Sequence, residues 1–115
     1  MSLPRRILSV APNSPRRMTR EEIFRCAGYD VASLPNSSDA IRAISDTGCA
    51  FDIVVVCDCL PAEERQRFVA TIKATSPNLP ILLIGKQRDP LTDDSVQESD
   101  DVRVLINHVA GLLGT

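Results

Sequence analysis

Two stretches of unbroken aliphatic sequence decide what this chain can fold into. Phe51–Cys57 (FDIVVVC) and Pro80–Ile84 (PILLI) show almost no alternation of apolar and polar residues. A strand with one wet face must alternate. A strand that is apolar throughout has to be covered on both faces, as in a parallel sheet flanked by helices. Two shorter segments, Arg6–Val10 (RILSV) and Tyr29–Ser33 (YDVAS), read the same way. A brief fifth strand is expected near Ser95–Gln97, within the irregular, acidic stretch Gly85–Glu98.

Helical patterns fill the intervals. Ser14-Pro15 sets a capping hydroxyl before a proline at the first helical position, where the missing N–H costs nothing. That helix is expected to turn Ile23, Cys26 and Ala27 inward and to stop at Gly28. Ser37 or Ser38 is expected to cap a second helix with Ala40, Ile41 and Ile44 inside, ending at Gly48. Pro61 opens a third, with Phe68, Val69 and Ile72 on its apolar stripe, closed by Ser76-Pro77. The last helix carries Val102, Leu105, Ile106, Val109, Leu112 and Leu113 at helical spacing, with Ser99 as cap and Gly114 as stop. Strand–helix alternation with short links predicts right-handed βαβ units. The expected fold is α/β, a three-layer, doubly wound, five-stranded parallel sheet. Gly85–Glu98 leaves no room for a normal helix, so the fourth of the usual five should be shortened or missing.

Composition adds exclusions. With 115 residues and a formal net charge of −2, the chain is long enough to bury one core, and residues 4–115 read as a single domain. Met1-Ser2-Leu3 are read as an appendage outside it. The longest apolar run, Ile53–Cys57, is far short of the ~20 residues a membrane span requires. No basic start followed by a long apolar stretch and cleavage site is present, which predicts a cytoplasmic protein. Cys26, Cys49, Cys57 and Cys59 are then expected to be reduced thiols packed as small apolar groups.

These features together resemble the receiver domain of response regulators, the flavodoxin-like module of two-component systems. The resemblance rests on Ala27-Gly28-Tyr29-Asp30-Val31 at the first helix-to-strand turn and on Phe51-Asp52-Ile53-Val54-Val55-Val56 followed by Leu60-Pro61. Ser76-Pro77-Asn78-Leu79-Pro80-Ile81 and the terminal amphipathic helix extend it over nearly the whole chain. It implies a phosphorylation site at the carboxyl ends of the strands, where open α/β sheets place their ligands. In the family an acidic pair and an aspartate hold Mg²⁺, the aspartate accepts a phosphoryl group, and a Thr or Ser and a Lys contact its oxygens.

Position by position, this chain departs from that pattern. The acidic pair falls on Ala11 and Pro12, the acceptor on Cys57, and the hydroxyl on Gly85, next to Lys86. The lysine position, around Gln97–Ser99, holds no Lys. The expectation is a degenerate pocket that binds no metal or other cofactor and catalyses no phosphoryl transfer. An alternative makes Asp58 the acceptor by a one-residue slip, although Ala11 and Pro12 would still supply no metal ligands.

Cys57-x-Cys59 raises a second alternative, a thiol redox sensor, because the pair precedes a helix N-terminus. A zinc site lacks a second cysteine pair, and the single histidine, His108, sits alone on the last helix. No glycine-rich phosphate loop is present. Arg16, Arg17 and Arg20 are expected to be exposed on the first helix beside the strand ends, as a contact face for a signalling protein or a second copy of the chain. The negative net charge and few aromatic residues disfavour nucleic acid.

Overall fold

The elements follow in the order β1 (Arg6–Val10), α1 (Pro15–Cys26), β2 (Asp30–Leu34), α2 (Ser37–Thr47), β3 (Ile53–Cys57), α3 (Ala62–Thr75), β4 (Ile81–Ile84), β5 (Asp94–Val96) and α4 (Val102–Leu113). The computed structural model describes residues 5–12, 14–47, 51–57, 60–85, 92, 94–96 and 102–113. All strands are parallel, in the order β2-β1-β3-β4-β5. The register pairs Val10 with Val56 and Cys57 with Ile84, so β1, β3 and β4 end close to one level.

Burial follows the period-two geometry of a strand. Leu8, Val10, Val54, Val56, Ile81 and Leu83 face one way, against Ala40 and Ile44 of α2 and Phe68, Val69 and Ile72 of α3. Ile7, Ile53, Val55, Leu82 and Ile84 face the other way, against Phe24 of α1 and Leu105 and Val109 of α4. The doubly wound three-layer sheet is therefore as expected. Among the described residues no helix stands between β4 and β5, in keeping with a shortened fourth helix. The short strands sit within two residues of their expected places, with β5 one residue early.

Helix ends show local causes. Ser14 Oγ accepts from the Arg17 N–H at 3.2 Å, and Pro15 opens α1. At its other end the N–H groups of Gly28 and Tyr29 donate to the carbonyls of Arg25 and Phe24, and Gly28 takes φ +96°. This paired termination requires a left-handed residue, the conformation glycine adopts without a Cβ penalty.

Three expectations are corrected. α2 is capped by Asn36, whose Oδ1 accepts from the Asp39 N–H at 2.9 Å. Ser37 Oγ instead donates to Glu64 Oε1 at 2.8 Å and ties α2 to α3. The inner face of α1 is Arg20, Glu21 and Phe24, with Cys26 and Ala27 exposed and Ile23 half-buried. Long side chains with apolar stems lie inward here, so an apolar stripe alone does not find the buried face. Lastly, Cys57 is disulfide-bonded, to a cysteine outside the described residues, so the expectation of reduced thiols fails there; Cys26 is free but exposed, not packed in the core. Gly48, Ser99 and Gly114, expected at helix ends, lie outside the described residues.

Replacing Asn36 by Ala should lower stability by about 1 kcal/mol in urea denaturation. Ser38→Ala should leave it within a few tenths of a kcal/mol, because Ser38 is exposed and Asn36 holds the cap.

Candidate functional site

The central strands are sealed on both faces, so chemistry is confined to their ends. At the carboxyl rim stand Ala11 and Pro12 after β1, Cys57 at the end of β3 and Gly85 after β4. Ala11 is buried, and its N–H donates to the Leu34 carbonyl at 3.1 Å, continuing the ladder beyond β1. Pro12 is exposed. Neither side chain carries an oxygen that could hold a cation.

A guanidinium stands where such a cation would be sought. Arg17, in the first turns of α1, folds back so that Nη1 donates to the Ala11 carbonyl at 3.0 Å. Its Nε lies 3.7 Å from Glu21 Oε2, one helical turn away, with the two side chains only 13% and 5% exposed. A buried pair of this kind is held against its desolvation cost by the added hydrogen bond to the rim carbonyl. Arg20 is buried on the same face. Ser9, also on the α1 side of β1, is fully buried with no hydrogen-bond partner for its hydroxyl.

The expectation that Arg16, Arg17 and Arg20 form one exposed patch is corrected by this arrangement. Arg16 is exposed; Arg17 is largely covered and Arg20 is buried. The sequence held a usable signal, since Arg17 and Glu21 have the (i, i+4) spacing of a helical ion pair. What it lacked was the phase of α1.

Gly85 departs from the receiver pattern in its backbone as well as its side chain. It is buried and takes φ +144°, a region that residues with a Cβ rarely adopt. A hydroxyl-bearing side chain there would require the backbone to change path. Asp58, Cys59 and Lys86 lie outside the described residues.

The acids that are placed serve the opposite rim. Asp52 Oδ2 accepts from the Arg6 N–H at 2.7 Å, and its Oδ1 lies 3.7 Å from Arg5 Nη1. Asp30 Oδ2 is 3.3 Å from Arg6 Nε, while the Arg6 guanidinium stacks 4.9 Å above the Phe51 ring. These contacts lock the starts of β1, β2 and β3 together and leave no carboxylate from them at the crown. Among the described residues, no three His, Cys, Asp or Glu side chains gather so as to hold a metal ion. The described rim therefore does not fit Mg²⁺, and no step through a metal follows from it.

With this geometry in place, comparison with known proteins becomes informative. No family model matches the chain, and no curated protein matches it by sequence. Solved structures do. A response regulator receiver protein from Sinorhizobium medicae superimposes with a TM-score of 0.82 at 21% identity, covering 97% of this chain and 96% of its own. A receiver domain protein from Methanospirillum hungatei gives 0.84 at 15%, covering 96% and 94%. One from Clostridium thermocellum gives 0.85 at 13%, again covering 96% and 94%. At these identities the likeness is one of fold, and the chain has the receiver-like flavodoxin fold.

Two variants probe the altered rim. Arg17→Met should cost about 3 kcal/mol in denaturant unfolding, because Glu21 is left buried without its cation, and the double variant with Glu21→Met should recover much of that loss. Gly85→Thr should destabilise by roughly 1–3 kcal/mol through the forced positive φ.

Proposed function

We propose that this chain is a receiver-like signalling domain that does not carry out metal-dependent phosphoryl transfer and acts through contact with a protein partner or a second copy of itself. The observation that supports this most directly is the Arg17–Glu21 pair bonded to the Ala11 carbonyl. Mg²⁺ in a receiver neutralises charge that develops on a transferring phosphoryl group, and it needs oxygen ligands converging from the strand ends. Here the first strand end offers one backbone carbonyl, already bonded to a cation that cannot lose its charge. The Gly85 backbone supports the same reading, since the hydroxyl that would contact a phosphoryl oxygen has no compatible place.

A domain of this kind signals by what docks on it. The outer side of α1 is the surface we favour. Arg16 is exposed, and Met18, 62% exposed, is the one large apolar side chain so placed among the described residues. Met18 borders a groove of about 700 Å³ between α1 and α4 that Ile23, Ala27 and Ile106 help to line. Exposed apolar surface beside charge is the composition of contact sites. A cytoplasmic location fits this role, and no helix among the described residues is long and apolar enough to cross a membrane.

Incubation of the full chain with Mg²⁺ and acetyl phosphate, read by intact mass, should give no adduct of about 80 Da, the mass of an added phosphoryl group. Melting temperature should also be unmoved by millimolar Mg²⁺, because nothing at the rim binds it in preference to the unfolded chain. An adduct that disappears in Asp58→Asn would overturn the proposal in favour of an acceptor at that position.

A further inference from the structure

Cys57 ends β3, is 3% exposed, and has its sulfur in a disulfide. Of the other three cysteines Cys26 is free, which leaves Cys49 and Cys59 as candidate partners. The fold separates these two. Cys49 precedes Asp52, whose N–H donates to the Arg6 carbonyl at the opposite rim of the sheet. The path from Asp52 to Cys57 is about 16 Å of extended strand, buried on both faces, with no room for a second segment to run back beside it. A disulfide needs its Cα atoms within about 7 Å. Cys59, two residues on, meets that limit; the link it belongs to is held short by the Leu60 N–H, which donates to the Cys57 carbonyl at 3.3 Å.

We infer that Cys57 and Cys59 form an exchangeable disulfide at the strand end where a receiver carries its acceptor, and that its reductant is a dithiol. This goes beyond the contact function proposed above and holds whichever surface a partner uses. A reductant thiolate attacks one sulfur, the S–S bond breaks, and the second sulfur leaves as a thiolate that takes up a proton. The second thiol of the reductant then resolves the mixed disulfide. Two electrons and two protons pass to this chain, and the reductant departs as its own disulfide. The surroundings favour that leaving group. Ala11 follows Val10, which pairs with Val56, so the carbonyl bonded by Arg17 belongs to the residue beside Cys57 on the neighbouring strand. A fixed cation near a departing sulfur stabilises its thiolate, as does the start of α3 at Ala62.

The test uses the full chain purified without reductant, denatured in acid, alkylated with iodoacetamide and weighed. Four cysteines less the bridged pair predict two alkyl groups before reduction and four after it. Cys49→Ser should keep the bridge, and Cys59→Ser should lose it. A bridge that survives Cys59→Ser, a bridge lost in Cys49→Ser, or full alkylation without reduction would overturn the assignment. Exchange is read on the folded wild-type chain by titration with oxidised and reduced dithiothreitol. Reversible opening, with the far-ultraviolet circular dichroism unchanged, is the expected result. A bridge that stays closed under excess dithiol until the fold is lost would show a purely structural disulfide and defeat the inference.

Discussion

The structure depends on the fact that β1, β3 and β4 are covered on both faces. Ile7, Leu8, Ile53, Val54, Leu82 and Leu83 are fully buried, and removing any of them from water is worth roughly 1.5–3 kcal/mol. The same sealing leaves the strand ends as the places where polar groups can converge on a ligand. What the carboxyl rim contains therefore decides what the domain can do. In this chain the rim presents a carbonyl bonded to arginine, a disulfide sulfur and a glycine with positive φ.

Much of the fold was legible because aliphatic runs have few alternative solutions. FDIVVVC and PILLI could be covered only in a layered α/β arrangement, and the caps at Ser14-Pro15 and Gly28 lie where their chemistry demands. The failures share a cause. Asn36, Ser37 and Ser38 are all competent caps, and choosing among them depends on Glu64 of α3 claiming the Ser37 hydroxyl, a contact 27 residues away in sequence. The face of α1 was misjudged because Arg17 and Arg20 lie inward although their heads are charged. Local pattern carries periodicity; it does not carry which polar head finds a partner.

The candidate site divides along the same line. That Ala11, Pro12, Cys57 and Gly85 lack the receiver's oxygens is a statement about residue identity, readable from sequence once the register is set. That a guanidinium from α1 is bonded at the rim is a statement about three-dimensional reach and needed coordinates. So did the pairing of Cys57, which the expectation of a reducing environment had argued against. The arginines that looked like a patch for a partner turn out to be partly internal, and the apolar side of α1 gains weight as the outward-facing surface.

The glycine after β4 has a consequence for the history open to this protein. Restoring an acid at position 11 or 57 requires only a new side chain on an existing backbone. Position 85 is different, because its main chain has taken a route that excludes any side chain a phosphoryl oxygen would recognise. Recovery of the ancestral chemistry by single replacements would have to pass through a less stable protein at that step. Descendants of this sequence are thus steered toward refining a new use of the crown.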